Sequence, residues 1–479
     1  MGASAGVKEA FRTAIYIYCC AMVSTAPAPL RYPTLFGLGE RAESPNQNLF
    51  PITAGIDDAG ELVVGGCRVS DLVAQFGSPL YILDEQGLRT ACRQYRQSFA
   101  AAYPGETLPI YASKAWNCLA VCAIVASEGL GIDVVSAGEL YTALKAGFDP
   151  ALIYFHGNNK SRDELAMAAE AGVTVVVDNW AEMETLAAIA TAPVRVMIRF
   201  TPGIECHTHE YIRTGHLDSK FGFDPDQLEE VFAALARHAN LRCIGLHAHI
   251  GSQIFETQPH RDLTAVLANA FARAKATGLP VEELNVGGGL GIRYTEQDDP
   301  PSIAQWCTLV GQAMTDACDQ AGIGYPKLIC EPGRSLIGSS CLTAYQVGST
   351  KDVPGIRRYI TVDGGMSDNP RPITYQSLYR SVLANRITEE ATETVTIAGK
   401  HCESGDVLIK DAQLPAARTG DVLVVLATGA YNYSMSSNYN RIARPAAVLV
   451  AEGEANLILQ RESLDDLIRQ DRLPERLRA

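Results

Sequence analysis

Short apolar runs alternate with helical segments over most of the chain, from about Leu80 to Leu336. Between most runs stand stretches rich in Ala, Leu and Glu with helical spacing, such as Ser161–Ala171 and Trp180–Ala190. Strands that alternate with helices indicate βαβ units, and eight in series predict a closed (β/α)8 TIM-type barrel. An open doubly wound sheet is the alternative. The predicted strands are Leu108–Lys114, Ile132–Val135, Ala151–Gly157, Val173–Asp178, Val194–Phe200, Leu241–His249, Glu283–Gly289 and Lys327–Gly333.

The helical alternation stops after about Leu336, and strand-like segments separated by turns predict an antiparallel β domain. We expect an early segment, Glu61–Val64, to pair with this domain. The predicted organisation is a loosely ordered lead-in (1–50), a segment pairing with the β domain (51–75), the barrel (76–337) and the C-terminal β domain (338–479). The strand-like segments are Arg358–Val362, Thr392–Ile397, Asp406–Ile409, Asp421–Leu426 and Ala446–Val450.

Composition narrows the class of protein. The chain has 479 residues, enough for two domains, with 47% hydrophobic and 20% charged residues, as in soluble globular proteins. The net charge of -14 disfavours nucleic acid or a membrane surface as a partner, because polyanions are repelled. An anionic cofactor stays compatible, because a phosphate needs only a local nest of donors.

The cysteines and the N-terminal region bear on the cellular location. Thirteen cysteines are scattered without a CxxC pair, so reduced thiols and a cytoplasmic location are expected. Ile15–Val23 is similar to the apolar core of a signal peptide, but its two tyrosines and the lack of a clear cleavage pattern argue against one. No other stretch approaches the ~18–20 apolar residues of a membrane span.

Polar residues gather at the C-terminal ends of the predicted strands, where barrel enzymes carry their catalytic groups. A packed barrel without a ligand needs none of them. Lys114 follows an apolar strand and should point into the barrel mouth, where burial lowers the pKa of a lysine and favours Schiff-base chemistry. A solvated surface lysine is the alternative. The polar ends are YASKA with Lys114, Asp133, HGNN (His156–Asn159), Arg199, HAHIGSQ, GGG and EPGRS.

A Schiff-base aldehyde cofactor that carries a phosphate also needs an anion site. Gly287–Gly289 follow the seventh predicted strand and Gly333-Arg334-Ser335 follow the eighth, where barrels frequently bind phosphate. Glycines allow backbone N–H groups to approach the phosphate oxygens closely. A simple turn is the alternative for the glycine run.

His247 and His249 alternate on one strand and therefore face the same side. The ring of His249, nearer the strand end, can stack on a cofactor, and Ser252 can donate to a phosphate, although a core histidine is the alternative. Glu331 ends the eighth strand. A carboxylate beside a pyridine nitrogen keeps that nitrogen protonated and strengthens the ring as an electron sink. A structural ion pair with Arg334 is the alternative for Glu331.

An ordered series of motifs resembles the diaminopimelate decarboxylase family. This family belongs to the alanine-racemase-like class of enzymes that use pyridoxal 5'-phosphate (PLP) and combine a barrel with a β domain. The similarity extends from about residue 76 to 450. The motifs are YASKA, HIGSQ, GGGLG, EPGRS, DGGMSDNPRP, CESGD and the GAY of Gly429–Tyr431.

The resemblance implies a homodimer with shared active sites that decarboxylates meso-2,6-diaminopimelate to L-lysine, the last step of lysine biosynthesis. Lys114 would bind PLP as a Schiff base and Cys402 would donate the proton. The other residues implied to hold PLP are His249, Ser252, Gly287, Gly288, Gly289, Glu331, Pro332, Gly333, Arg334 and Tyr431. Those implied to bind substrate are Arg334, Arg371, Tyr375, Glu403 and Tyr431.

One segment departs from the family pattern. Arg199-Phe200-Thr201-Pro202-Gly203 stands where an Arg-Val-Asn-Pro-Gly type sequence is expected, and the loop that follows is rich in histidine. His207 and His209 raise the possibility of a metal site, but their spacing alone is a poor warrant. We therefore expect a polar active-site lid and no metal.

Two other functions remain as alternatives. Decarboxylases of this fold that act on ornithine, arginine or lysine take substrates without a distal carboxylate, which would leave Arg371 unpaired. A catalytically silent, PLP-free binding protein would have no use for Lys114, Cys402 and the phosphate-binding glycines.

Overall fold

The computed structural model describes residues 42–204 and 219–478. Before the barrel, the chain forms a small sheet of β1 (Gly55–Ile56), β2 (Leu62–Val64) and β3 (Cys67–Arg68), followed by helix α1 (Val69–Phe76) and strand β4 (Leu80–Asp84). No described helix has both the length and the apolar character that crossing a membrane requires.

A closed barrel of eight parallel strands forms the centre of the molecule, and the predicted barrel is confirmed. The first strand of the barrel closes on the last, with Thr107 opposite Leu328. The strands are β5 (Thr107–Ala112), β6 (Gly131–Val134), β7 (Ile153–Phe155), β8 (Thr174–Val177), β9 (Val194–Arg199), β10 (Leu241–His247), β11 (Glu283–Asn285) and β12 (Lys327–Cys330). The helices are α2 (Glu85–Ala102), α3 (Leu119–Ser127), α4 (Ala137–Lys145), α5 (Arg162–Ala171), α6 (Trp180–Ile189), α7 (Leu228–Leu235), α8 (Gln258–Ala276), α9 (Ile303–Ala321) and α10 (Arg334–Ile337).

Local sequence explains these elements. The strands β6, β7 and β8 are buried at every position, which suits their Val- and Ile-rich composition. Helix α5 begins at a capping box in which Ser161 and Glu164 bond each other's backbone N–H groups, and it ends at Gly172 in a left-handed conformation. A small cluster of side chains from several barrel strands packs together. Its buried members are Leu108, Ile110, Tyr154, Val176, Met197 and Ile329.

The C-terminal half forms a nine-stranded sheet that also contains β4. Most pairs are antiparallel, as predicted, but the β14–β16 and β4–β19 pairs defined here are parallel. The strands are β13 (Cys341–Val353), β14 (Arg357–Val362), β15 (Ser381–Leu383), β16 (Glu393–Ala398), β17 (Val407–Leu414), β18 (Val422–Val425), β19 (Ala446–Ala451) and β20 (Glu454–Leu459). Two short helices, α11 (Arg371–Tyr375) and α12 (Leu464–Ile468), belong to this half.

Strand β4 corrects the predicted role of Glu61–Val64. In the described chain β2 pairs with β1 and β3, and only its side chains join the core of the β domain. It is β4, inside the range assigned to the barrel, that lies between β13 and β19. Every residue of Leu80–Asp84 is buried, as a central strand requires, whereas β2 is short and half-buried.

In its described part, residues 42–50, the predicted lead-in is packed against the barrel and not loosely ordered. Asn46 is fully buried, and its side chain donates to the carbonyls of Gly291 and Pro301. The hydroxyl of Ser44 accepts from the N–H of Ile303 at 3.0 Å. Polar side chains therefore fix this segment against the barrel loops. Residues 1–41, including Ile15–Val23, lie outside the described residues.

Candidate active site

A cavity of about 520 Å³ opens where the barrel strands end. Eight residues with predicted roles line it: Lys114, His249, Ser252, Glu331, Arg334, Arg371, Tyr375 and Tyr431. The other lining residues are Asp133, Val135, His156, Gly157, Asn158, Arg199, Phe221, His247 and Met435. Most of the predicted site therefore converges in one place.

Lys114 lies in the turn Ser113–Ala115 that follows β5, not on the strand itself. Its side chain is open to the cavity while the cavity walls surround it. Burial lowers the pKa of Lys114, but the nearby Tyr431, Asp133 and Glu331 outweigh that effect and raise it above its usual value. The predicted lowering of this pKa is therefore wrong for the protein alone, because Tyr431 and two carboxylates lie near the amine.

Glu331 lies beneath the cavity between two histidine rings. The Nε2 atom of His156 is 2.9 Å from its Oε1 atom, and Nε2 of His247 is 3.2 Å from Oε2. Asn285 also donates to Oε1 at 2.8 Å. Burial raises the pKa of Glu331, but the neighbouring rings hold it well below its usual range. Burial lowers the pKa of His247 to about 4.

Arg334 turns away from Glu331, which removes the alternative of a structural ion pair between them. Its guanidinium donates to the Ser252 hydroxyl at 3.0 Å and to the Tyr294 hydroxyl at 2.6 Å. The ring of Tyr431 lies 4.9 Å from the guanidinium carbon. Arg334 and Ser252 therefore form one polar wall of the cavity.

The glycine run is packed against His249. The N–H of Gly288 donates to Nδ1 of His249 at 3.1 Å, and the N–H of Gly287 donates to the Asn285 side chain at 2.9 Å. A Cβ atom at Gly287 would stand 2.6 Å from that Nδ1 atom, and one at Gly288 would stand 2.3 Å from the carbonyl oxygen of Glu331. These glycines are required by close packing. The N–H groups of Gly287 and Gly288 were expected to donate to a phosphate. Both already donate within the protein, so they are not available for that contact.

Two further residues that were predicted to hold PLP lie next to the Lys114 turn. Pro332 and Gly333 pass directly beneath the Lys114 turn, where the carbonyl of Pro332 accepts from the N–H of Ala112 at 3.0 Å. Burial raises the pKa of Tyr111 well above its usual value, and its hydroxyl donates to the Trp116 carbonyl on the far side of this turn. The turn is thus held from two directions.

Arg371 reaches the cavity from the β domain. It begins α11, and its Nε atom donates to the hydroxyl of Tyr379 at 2.9 Å. Its guanidinium carbon lies 5.4 Å from the ring of Tyr375 and 5.6 Å from that of Tyr431. Burial alone would lower the pKa of Arg371, but the surrounding tyrosine hydroxyls raise it. A permanently charged cation therefore faces the cavity.

Four lining residues appear in the sequence only as polar strand ends without an assigned role: Asp133, His156, Asn158 and Arg199. Oδ1 of Asp133 and Nδ1 of His247 are buried and have no hydrogen-bond partner among the described residues. Arg199 lies 3.7 Å from Asp178, and burial lowers its pKa. Their position at strand ends was the available signal, but it did not specify a contact.

Cys402 and Glu403 do not join the others. They lie in the turn between β16 and β17, and both side chains are exposed. The N–H of Cys402 donates to the side chain of Asn440 at 2.9 Å, outside the cavity lining. A single chain therefore does not bring the whole predicted site together. His207 and His209 lie outside the described residues.

Comparison with known proteins agrees with this geometry. Residues 86–338 match the family described as pyridoxal-dependent decarboxylase, pyridoxal binding domain. The diaminopimelate decarboxylase of Synechocystis sp. is 64% identical over 468 residues, covering 95% of this chain and 100% of that protein. That of Bacillus subtilis is 44% identical over 419 residues, 86% of this chain and 95% of its own.

A solved structure gives the same result. Diaminopimelate decarboxylase from M. jannaschii, in co-complex with L-lysine, matches with a TM-score of 0.83 and 31% identity. The match covers 91% of this chain and 100% of that chain. The similarity therefore includes both the barrel and the β domain.

Proposed function

The chain belongs to the diaminopimelate decarboxylase family of PLP-dependent lyases, and on that premise we propose that it converts meso-2,6-diaminopimelate to L-lysine and CO2. This reaction is the last step of lysine biosynthesis. The observation that carries the proposal is the convergence of Lys114, Glu331 and Arg371 on one cavity of about 520 Å³.

The cavity fits PLP in chemistry and in size. Small-molecule and cofactor sites are typically ~300–1,000 Å³. The buried, unpartnered atoms Asp133 Oδ1 and His247 Nδ1 lie on residues that line it. PLP, when bound, supplies an electron sink for the electrons released by loss of CO2. Lys114 would hold it covalently, and the carboxylate of Glu331 suits a protonated ring nitrogen.

Two arginines suit the phosphate and carboxylate groups that must enter. Arg334 and Ser252 stand together on one wall, where a guanidinium and a hydroxyl can donate to phosphate oxygens or to a substrate carboxylate. Arg371 lies near Tyr375 and near Tyr431, whose ring it shares with Arg334. We assign Arg371 to the distal carboxylate of the substrate, because a fixed, buried cation selects for its counterion.

The proton that replaces CO2 requires an acid, and Cys402 is the proposed donor. Its exposed position, beside the equally exposed Glu403, supports a homodimer in which this turn enters the cavity of a second copy. Glu403 would then pair with the distal ammonium group of the substrate. Each cysteine that the structure describes carries a free thiol, which supports the proposal of a cytoplasmic enzyme.

Product analysis tests the proposal. The purified protein with PLP is incubated separately with meso-, LL- and DD-diaminopimelate, L-ornithine, L-arginine and L-lysine. We expect L-lysine and CO2 from the meso isomer and no comparable turnover of the monocarboxylates. Preferred turnover of L-ornithine, L-arginine or L-lysine would contradict the assignment. A protein that keeps no borohydride-sensitive absorbance band after incubation with PLP and removal of the free cofactor would instead be the silent homologue.

A further inference from the structure

The carboxylate of Asp406 joins two loops of the β domain. Its Oδ2 atom accepts from the N–H of His401 at 2.9 Å and from Nδ1 of the same residue at 2.7 Å. Its Oδ1 atom accepts from the N–H of Met366 at 2.7 Å. The side chains of His401 and Asp406 are both almost fully buried. We call these three hydrogen bonds the Asp406 junction.

The backbone around the Asp406 junction is shaped to admit this carboxylate. A Cβ atom at Gly399 would stand 2.1 Å from Oδ2 of Asp406, and one at Gly365 would stand 2.5 Å from Oδ1. Gly365 also has a φ of +148°, which L side chains rarely adopt. Two separate loops thus lack side chains at the points where they meet Asp406. The Asp406 junction is a specific contact and not a chance surface pairing.

The two loops carry residues that the proposed function uses. His401 directly precedes Cys402 and Glu403, and Met366 belongs to the loop that leads into Arg371 at the start of α11. The Lys400 N–H also donates to the Gly364 carbonyl at 2.9 Å, which holds the same loops together beside the Asp406 junction.

A second set of contacts fixes the outer side of the Cys402 turn. The ring of His401 stacks on that of Tyr439, with centroids 6.0 Å apart and an interplanar angle of 16°. The next residue, Asn440, accepts from the N–H of Cys402 and has a left-handed φ of 55°. The turn is therefore held on its buried side by Asp406 and on its outer side by Asn440. The side chains of Cys402 and Glu403 are both exposed, and Oε1 of Glu403 accepts from the N–H of Gly405 at 3.2 Å.

We propose that the Asp406 junction is a positioning device that aims Cys402 and Glu403 at the cavity of a second copy of this chain. This inference rests on the proposed function, which assigns those two residues to the reaction. Asp406 and His401 are positioning residues and touch neither substrate nor cofactor. A buried, hydrogen-bonded carboxylate is seldom needed for stability alone, because the cost of desolvating it offsets much of the attraction. Because the Asp406 junction lies directly behind the Cys402 turn, its role is to fix the position of that turn.

The variant Asp406→Asn tests the inference in the PLP-loaded enzyme. It keeps the size of the side chain and replaces one hydrogen-bond acceptor with a donor. We expect kcat to fall roughly 10- to 100-fold, because small displacements of a catalytic group have effects of this size. PLP absorbance should be unchanged, since Lys114 and Glu331 lie in the barrel. The matched control is Asp352→Asn, whose side chain is 69% exposed on the same sheet and which should keep wild-type activity.

Subunit mixing separates a positioning role from a general loss of folding. A hybrid of Asp406→Asn with Lys114→Ala contains one site with an intact lysine and an intact Cys402 turn. With random exchange, half the dimers are hybrids and each has one complete site of two, so activity should return to about a quarter of wild type. No recovery, with exchange confirmed by mass, overturns the proposal, because Asp406 would then act within its own subunit. Wild-type kcat in the Asp406→Asn homodimer overturns it too.

Thiol alkylation makes the test independent of turnover. Peptide mass mapping follows the rate at which iodoacetamide modifies Cys402. This rate should change several-fold in Asp406→Asn and stay the same in Asp352→Asn. An unchanged rate in Asp406→Asn overturns the proposal. Product analysis of the wild type decides the proposed function separately.

If Asp406→Asn shows no melting transition and so does not fold, His401→Leu takes its place. This variant removes the same Nδ1 contact by changing the other partner. His401→Asn, which can keep a donor at the position of Nδ1, should then restore activity relative to His401→Leu.

Discussion

The barrel mouth and the Cys402 turn differ in how much of their chemistry they contain. At the mouth, Lys114, Glu331 and Arg334 line one cavity. In the turn, Cys402 and Glu403 are exposed, and the bonds that hold them come from the turn itself and from Asn440. The first region is built to bind and orient a cofactor and a substrate. The second exposes two side chains away from the cavity of its own chain, as the proposed shared site of a homodimer requires.

The largest effect is expected at the mouth. Lys114→Ala should fold, lack the visible absorbance band of the bound cofactor and decarboxylate nothing, because no other amine faces this position in the described cavity lining. Lys145→Ala, an exposed lysine on α4, is the control and should behave as wild type. A visible band in Lys114→Ala that survives dialysis would mean that PLP is held elsewhere.

The division of labour between the two regions is tested by complementation. Lys114→Ala and Cys402→Ala should each be nearly inactive as homodimers, and equal mixing should restore about a quarter of wild-type activity. The reason is that half the dimers are hybrids, each with one complete site. Recovery near zero, once mass measurement has confirmed exchange, would put Cys402 in its own subunit's site or outside the chemistry.

A smaller, selective effect is expected from Arg371. Arg371→Ala should weaken meso-diaminopimelate by roughly 2–5 kcal/mol, the cost of removing one partner of a dry charge pair. Cadaverine carries both amino groups of the substrate but no carboxylate, so its inhibition constant should change little. Arg357→Ala, exposed on β14, serves as the control. Equal losses for both ligands would show that Arg371 is structural.

The smallest effect is expected on the pH dependence of stability, and it arises from the buried histidine His260 on α8. Burial lowers the pKa of His260 to about 4, and its Nε2 atom accepts from Trp306 at 3.3 Å. Between pH 6.5 and 4 the unfolded chain binds a proton that the folded chain does not, so stability falls as the pH falls through this window. From the two pKa values this contributes about 3 kcal/mol.

The check is the free energy of unfolding by denaturant at pH 7 and at pH 4, for wild type and for His260→Gln. The decrease from pH 7 to pH 4 should be smaller in the variant by about that amount. Equal decreases would mean that the ring of His260 is protonated in the folded protein.

The barrel was predictable because its strands are short, apolar and separated by helices with their own caps. The strand ends were placed too far along, since Lys114 and Gly287–Gly289 follow their strands without belonging to them. Strand β4 went unrecognised as part of the β domain, because its partners β13 and β19 lie far away in sequence. Periodicity reports local burial and contains no information on such pairing.

The site was predictable in its members and less so in its contacts. Motif resemblance supplied eight of the residues that line the cavity. The direction of the Lys114 pKa depends on Tyr431, Asp133 and Glu331, which only the folded chain brings near the amine. Ser44 and Asn46 resemble loop residues in composition. Their burial follows from hydrogen bonds to segments more than 200 residues away, which composition cannot report.

The place of β4 has a consequence for how the chain is made. This strand is synthesised before the barrel, yet its neighbours in the sheet begin at Cys341 and Ala446. During N- to C-terminal synthesis Leu80–Asp84 must stay unpaired until the ribosome has added hundreds of residues, and such distant pairings close slowly. The barrel is complete in sequence by β12, so it can close around its own core while this apolar strand is still exposed. A barrel half made without the β domain would leave these five residues without the strands that cover them.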